Sequence, residues 1–471
     1  MRALGAFLVG VLLGMAAPGA TGQEEFRVTK LADSVVCPEA LTTKGSFGQA
    51  INGKSFQQDA LTSFAGFQYV AFYDRQRHVC LARRELPSGP WMTIRFTDYD
   101  FKSNDAHNTI SMGICPKDGT IHLAFDHHGH PLHYRVSKTW LANDADVSRW
   151  SPASFGPVRS ELESGKPISI TYPRFLVTPA GGLQFFYRRG GSGNGDRMLV
   201  DYDPDAGSWS GTRMIDSRQG SFVVATGASN SRCSYPNGYD YGPSGRLHVT
   251  WVWRESSQGA NHDLMYAWSD DRGRHWRNNA GDLLAGPPRV DSPGITVVPI
   301  PMDLGLMNTH GQAIDSQGRV HTVMWHCTED SLRVHGSSRG EHRWGVAAAR
   351  QYHHYWRDDD ARWHHTEIPG VSGSRPKLFV DPGDRLFLIS TDRKLRSSSP
   401  SEGHLVIRAA SPMKRWTDWT EIHVERGPFV NEMLGDCARW HDHSVLSIMV
   451  QNQPESAHEA TPLRLLDFGI Q

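Results

Sequence analysis

Cysteine is scarce, with six residues in 471 and none in a CxxC spacing, which excludes a dense disulfide scaffold. The wide spread of Cys37, Cys80, Cys115, Cys233, Cys327 and Cys437 leaves room for one or two bridges. An excess of either charge is absent as well. With 49 Lys+Arg against 50 Asp+Glu, the whole-molecule field gives no reason to expect nucleic acid or an anionic membrane as partner. Any recognition of anions must be local. Past the N-terminus no stretch approaches the roughly 20 apolar residues of a membrane helix. No long window carries a 3.6-residue period, so helices have little part in the fold.

The first twenty-two residues do hold one apolar run. Arg2 supplies a positive start, residues 4–17 are apolar but too short to cross a bilayer, and the small residues of 17–22 offer a cleavage site. Residues 1–22 therefore read as a secretory signal peptide, and the protein as secreted or periplasmic.

What the rest of the chain has is a repeat. A Gly-containing turn followed by an alternating apolar strand recurs in "FAGFQYVAFYD", "KDGTIHLAFDHH", "AGGLQFFYRR", "SGRLHVTWVWR", "QGRVHTVMWHC", "PGDRLFLIS" and, more weakly, "WHDHSVLSIMV". The turns fall near residues 66, 119, 182, 245, 318, 383 and 442, most of them about 63 apart. Shorter strand-like runs such as "LMYAWSD" and "HLVIRAAS" lie between them. Four short strands per unit make a propeller blade, so residues 23–471 are expected to form one all-β domain, a seven-bladed β-propeller. A pair of β-sandwiches or a β-helix suits this period less well. The run "SDDRGRHW" fits an Asp-box, with Ser269, Asp271, Gly273 and Trp276 in place. There the Asp caps turn amides and the Trp packs between strands, a structural role.

In a propeller, loops at one face of the central channel build the site, and residues some 60 apart become neighbours. Five polar clusters fall in consecutive units. They are "NDAHN" with His107 and Asn108; "AFDHH" with Asp126, His127 and His128; "TYPRF" with Tyr172 and Arg174; "FFYRRGGSGNG" with Arg188 and Arg189; and "SRCSYPNGYDYG" with Tyr235, Tyr239 and Tyr241. His127 and His128 sit near a strand end. Tyr172, ahead of Pro173, is expected in extended backbone. Arg188 and Arg189 face opposite ways, so at most one points into a groove. With twenty-four histidines in the chain, most must be structural.

His, Tyr and Arg without a suitably placed pair of carboxylic acids argue against glycoside hydrolysis. They suit removal of the C5 proton of a uronic acid with expulsion of the O4-linked sugar. That reaction needs a base, an acid for the leaving oxygen, and a cation for a carboxylate taking on enolate character. Arg is the bidentate partner of choice for that carboxylate.

The ordered set "NDAHNTISMGICPKDGTIHLAFDHHGHPLHYRVS", "YPRF", "FFYRRGGSGNG", "YPNGYDYGPSGRLHVTWVWRE" and "QYHHYWRD" resembles the seven-bladed propeller polysaccharide lyases, notably the ulvan lyases, within the wider BNR-repeat group. The resemblance covers roughly residues 40 to 450. It implies that His107 and Tyr172 are the acid–base pair, that His127 helps orient the sugar or the reacting groups, and that Arg188 neutralises the uronate carboxylate. His107 is favoured as base and Tyr172 as acid, because an imidazole is neutral near pH 7. Asn108, His128, Arg189, Tyr235, Tyr239 and Arg375 are expected to bind substrate, with Arg375 of "SRPK" suited to sulfate.

The resemblance also implies one structural zinc ion, drawn from His310, His326, Cys327 and His354, a mixed His/Cys set that suits zinc. No organic cofactor is implied. The expected partner is an acidic polysaccharide, with the protein acting as a monomer and without membrane or nucleic acid. Two other readings compete. A sialidase-like hydrolase would fit the Asp-box but needs a Tyr–Glu pair, and no Glu accompanies Tyr172 or Tyr239. A carbohydrate-binding propeller would keep the groove without turnover.

Overall fold

The computed structural model describes residues 26–45, 48–54, 60–224, 227–256, 259–336, 346–370, 372–392, 403–430, 432–456 and 459–471. The expected signal peptide lies outside them. Among the described residues, seven antiparallel sheets of three to five strands follow one another along the chain, as the repeat predicts, beside two small two-stranded sheets. The first blade shows the plan: Leu61–Phe64 is innermost, then Phe67–Tyr73, His78–Glu85 and Met92–Asp100 run outwards. Innermost strands of the next five blades are Ile110–Cys115, Ser169–Val177, Arg232–Tyr241, Gly311–Ile314 and Lys377–Val380. The seventh blade begins at Leu434–Gly435 and ends on a strand from the other terminus. Val28–Ala40 pairs antiparallel with Thr461–Ile470, from Val28 opposite Ile470 to Ala40 opposite Thr461. That pairing closes the ring and covers an edge that would otherwise offer unpaired amides.

Six of the seven turns read from the sequence are the hairpins between the innermost and second strands of a blade. Asp side chains fix two of them in the same way. Asp315 accepts from the amides of Gln317 and Arg319 and pairs with the Arg319 guanidinium; Asp381 does the same with Gly383 and Arg385. In the seventh blade the helix Cys437–His443 replaces the turn. The Asp-box is as expected: Asp271 accepts from the amides of Arg274 and His275, the Ser269 hydroxyl accepts from Gly273, and Trp276 is buried.

Second strands such as Phe67–Tyr73, Leu247–Glu255 and Val320–His326 are buried on both faces. That burial explains why they read as near-continuous apolar runs. Apolar layers fill each of the seven seams between blades, for example Phe175 and Phe185 against Cys115 and Ala124 between the second and third. Burying one large apolar side chain contributes about 1.5–3 kcal/mol, so the ring is held mainly by these seams. Cys37, Cys80, Cys115, Cys233 and Cys327 are buried free thiols, so no disulfide forms among these five. No helix among the described residues is long and apolar enough to cross a membrane.

Candidate active site

One strand breaks the blade pattern. His128–Pro131 leaves the second blade and pairs with the third blade's innermost strand, setting His128 opposite Thr171. On that strand the pairing with Leu183–Gly191 slips between Thr171, opposite Arg188, and Arg174, opposite Phe186. Pro173 has no amide to give to a ladder, and Tyr172 takes φ = 53°. This left-handed backbone replaces the extended one expected ahead of a proline. An irregularity of this kind re-aims a side chain. Sixty-three residues on, Tyr235 and Pro236 repeat the Tyr-Pro pair at another slip in register, between Pro236 and Gly238.

The slip brings five groups together. The His107 and His128 rings stack with centroids 4.4 Å apart, and the Tyr172 ring lies 6.0 Å from each. Tyr235 stands 6.0 Å on the other side of Tyr172. The Arg188 guanidinium covers both phenol rings, 4.8 Å from Tyr172 and 5.5 Å from Tyr235. Tyr172 and Arg188 also line a small cavity of about 40 Å³, together with Arg174, Arg197 and Tyr239 among others.

Asp105 lies at the back of the histidine pair. Its two oxygens meet Nδ1 of His107 at 2.5 Å and Nδ1 of His128 at 2.6 Å. Burial alone would raise its pKa, but the hydrogen bonds from both histidines hold the carboxyl well below the usual range. Burial lowers the pKa of His107, with Asp105 opposing, so the ring is neutral near neutral pH. Burial pushes the Tyr172 phenol up, with Arg188 opposing in part, so it keeps its proton. A neutral imidazole and a protonated phenol thus face one another across one site.

Arg188 is only 4% exposed. Among the described residues no carboxylate pairs with it; its Nη1 donates to Cys233 Sγ at 3.7 Å, and its buried Nε has no partner. A buried cation without an anion is costly. The Cys233 sulfur also accepts from the Gly193 amide at 3.1 Å, tying the "GGSGN" turn to the site.

The other residues expected here are placed differently. His127 is fully buried, and its Nε2 accepts from the His133 amide at 2.8 Å, so it supports the loop. His128 occupies the place expected for it. Asn108 is also fully buried and bonds Asp126 at 2.5 Å and His130 at 3.1 Å. Tyr239 packs against Phe186 with its ring tilted and is bonded to Arg197, leaving Tyr235 beside Arg188. Arg189 points to solvent on the opposite face, near Asp196. Arg375 is nearly buried, bonds Glu432 at 3.0 Å and Asn308 at 3.2 Å, and lies near enough for its charge to act on the Tyr172 phenol. Two residues were not singled out in the sequence. Asp105 stood inside the "NDAHN" cluster, and Cys233 inside "SRCSYP", but neither has a local pattern that ties it to its partner.

The expected zinc ligands do not converge. On Val320–His326, His326 shares a face with Thr322 and Met324 and stacks on His353 at 3.7 Å; His354 lies across from Val323 and bonds His321 at 3.1 Å. His326 and His354 are thus on opposite faces of one sheet. His310 accepts from the Trp325 amide, and the Cys327 thiol turns to the Val346 carbonyl. These four residues do not fit a single ion. Among the described residues only Asp105, His107 and His128 gather three candidate donor atoms, within 4.8 Å of one another. Their 2.5 and 2.6 Å separations are hydrogen-bond lengths. Two ligands on one zinc, each about 2.0–2.2 Å from it, stand about 3 Å or more apart.

Comparison with known proteins places the chain. The sequence pattern of the BNR repeat-containing family matches residues 67–370. The chain belongs to this family. It is similar to the long isoform of ulvan lyase from Alteromonas sp., 26% identical over 279 residues, 49% of this chain and 27% of that protein. It is likewise similar to the short isoform from Alteromonas sp. (strain LOR), 25% identical over 296 residues, 51% of this chain and 53% of that protein. The chain thus spans about a quarter to a half of the curated relatives it matches. Among solved structures, polysaccharide lyase Uly1 superposes with a TM-score of 0.72 at 17% identity, covering 93% of this chain and 99% of that one. A PL25 ulvan lyase bound to -[GlcA(1-4)Rha3S]- gives a TM-score of 0.66 at 13% identity, covering 93% of this chain and 95% of that one. These superpositions establish a shared propeller fold.

Proposed function

We propose that this protein is a secreted or periplasmic polysaccharide lyase that cleaves a uronate-containing, ulvan-like acidic polymer by β-elimination. The observation that carries the reading is Arg188, a buried cation that no carboxylate among the described residues neutralises, set beside the neutral His107 and the protonated Tyr172. A uronate carboxylate seated on Arg188 supplies the missing charge. As the C5–H bond breaks, its proton passes to His107 and the electron pair moves toward the carboxylate, where the guanidinium stabilises it. The C4=C5 bond then forms as the C4–O4 bond breaks, and Tyr172 gives its proton to the departing oxygen. Arg188 over the phenol ring eases the charge left there. Tyr235 borders the same ground, with its hydroxyl 3.3 Å from Ser192. Its place suits contact with the sugar next in line. The protein acts as a monomer in this reading, and no step needs a metal.

The test is the ultraviolet absorbance of an unsaturated uronate, followed with purified protein on a panel of ulvan and other uronate polymers, beside His107→Ala and Tyr172→Phe. Wild type should raise the absorbance on at least one polymer, and each variant should lower kcat by about 10²–10⁴-fold, the range for loss of a general acid or base. Binding to the polymer without any product would replace the lyase with a carbohydrate-binding propeller.

A further inference from the structure

We propose that Asp105 is the positioning residue of this site, one carboxylate that holds both His107 and His128 as Nδ1–H tautomers and so leaves Nε2 as the basic nitrogen of each. The inference rests on the lyase reading for its kinetic consequence but not for its geometry. Asp105 Oδ1 accepts from the His107 backbone amide at 3.0 Å as well as from its ring, which fixes the carboxylate within the loop before it touches a side chain. Its amide in turn donates to the Ser103 hydroxyl at 2.9 Å. Oδ2 is left for His128, which arrives from the strand that crosses to the third blade. An ionised carboxylate has only acceptors. Each imidazole nitrogen facing it must therefore carry the hydrogen, and the lone pair of each neutral ring falls on Nε2.

Two consequences follow for a base. The tautomer is set before substrate arrives, so none of the population is lost to the unreactive form. When His107 takes a proton, Oδ1 already sits 2.5 Å from Nδ1 and stabilises the imidazolium. The charged and titratable groups around His107 are Asp105, His128, Lys54 and the Tyr172 phenol. Lys54 and His128 disfavour its positive charge, and Asp105 favours it. Replacing Asp105 by a neutral amide therefore moves the protonation of His107 to lower pH and weakens the base.

Nitrogen-15 NMR of histidine-labelled, unaltered protein tests the geometry without substrate, with the His107 signal identified from its absence in His107→Gln. An Nδ1–H tautomer at His107 is expected, and an Nε2–H tautomer would overturn the proposal. In kinetics, Asp105→Asn should lower kcat on the order of 10²-fold while KM changes little, and the acid limb of the kcat/KM profile should move to lower pH. Asp105→Glu should recover part of the rate. A kcat within about threefold of wild type, an unmoved acid limb, or a stoichiometric divalent metal present in wild type and lost in the variant would each overturn it. If the expected tautomer is found but no polymer is cleaved, the lyase reading fails and the positioning role stands.

Discussion

Two sets of histidines in this propeller look alike in composition and differ in what holds them. His122, His248 and His321 each stand three residues after a turn glycine, in the second strand of the second, fourth and fifth blades. All three are buried and bonded inward, to the Tyr134 hydroxyl at 2.7 Å, the Tyr266 hydroxyl at 2.7 Å and His354 at 3.1 Å. His107 and His128 occur once, on irregular segments at the inner end of the blades, partly open to solvent, and turn to a single carboxylate. A residue that recurs at the same place in several blades builds the blade, because every blade has the same seam to fill. A residue that occurs once, where the register slips, is available for chemistry.

The sharpest way to break that contrast lies in two adjacent arginines. Arg188→Lys should lower kcat/KM on the order of 10²-fold, since lysine keeps a charge but loses the planar fork that matches a carboxylate. Arg189→Lys, on the exposed face, should stay within about twofold. Equal losses in both would mean that Arg188 does not seat the substrate. A smaller effect separates His128 from His127. His128→Gln should lower kcat/KM roughly tenfold with little change in melting temperature, since it removes one group of a shared network. His127→Gln should act on stability instead, by about 1–3 kcal/mol, because the His133 amide loses its buried acceptor. Thermal melts recorded beside the rates distinguish the two, and a reversed pattern would return His127 to the groove.

Much of the fold was legible because turns and alternation are local. Gly near 66, 119, 182, 245, 318 and 383 and the apolar runs after them mark six inner hairpins, and the repeat length implies the ring. The site was legible in part. His107, Tyr172 and Arg188 stood in clusters of consecutive units, and the ring converts consecutive units into neighbours. Facing was harder. His127 and His128 point oppositely, and only the crossing of His128–Pro131 to the third blade decides which one meets Tyr172. The same parity defeats the expected zinc set, with His326 and His354 on two faces of one sheet. Tyr172 escaped the proline rule because the slipped register imposes φ = 53° on it. Asp105 was not legible at all as a partner of His128, 23 residues away, since nothing short of the folded loops brings them within 2.6 Å.

The smallest expected effect on turnover comes from a repeated histidine. Burial lowers the pKa of His248 to about 3, and that of His122 to about 3 as well. In the unfolded chain each returns to about 6.5. The unfolded state therefore binds more protons than the folded one between these values. The contribution is complete above pH 6.5 and is lost as pH falls from about 6.5 towards 3, with a limiting slope of about 1.4 kcal/mol per pH unit for each ring. His248→Phe removes that titration, so its unfolding free energy should depend less steeply on pH in this window, by about one proton. At neutral pH it should cost about 1–3 kcal/mol, because the Tyr266 hydroxyl is left buried without its partner. Its kcat should stay within about twofold of wild type, since a blade histidine touches no substrate. Denaturant melts across the acid range, set beside rates at neutral pH, test both halves. An unchanged slope would show that His248 is not held neutral by burial, and a large loss of kcat would erase the line drawn between histidines that build blades and those that do chemistry.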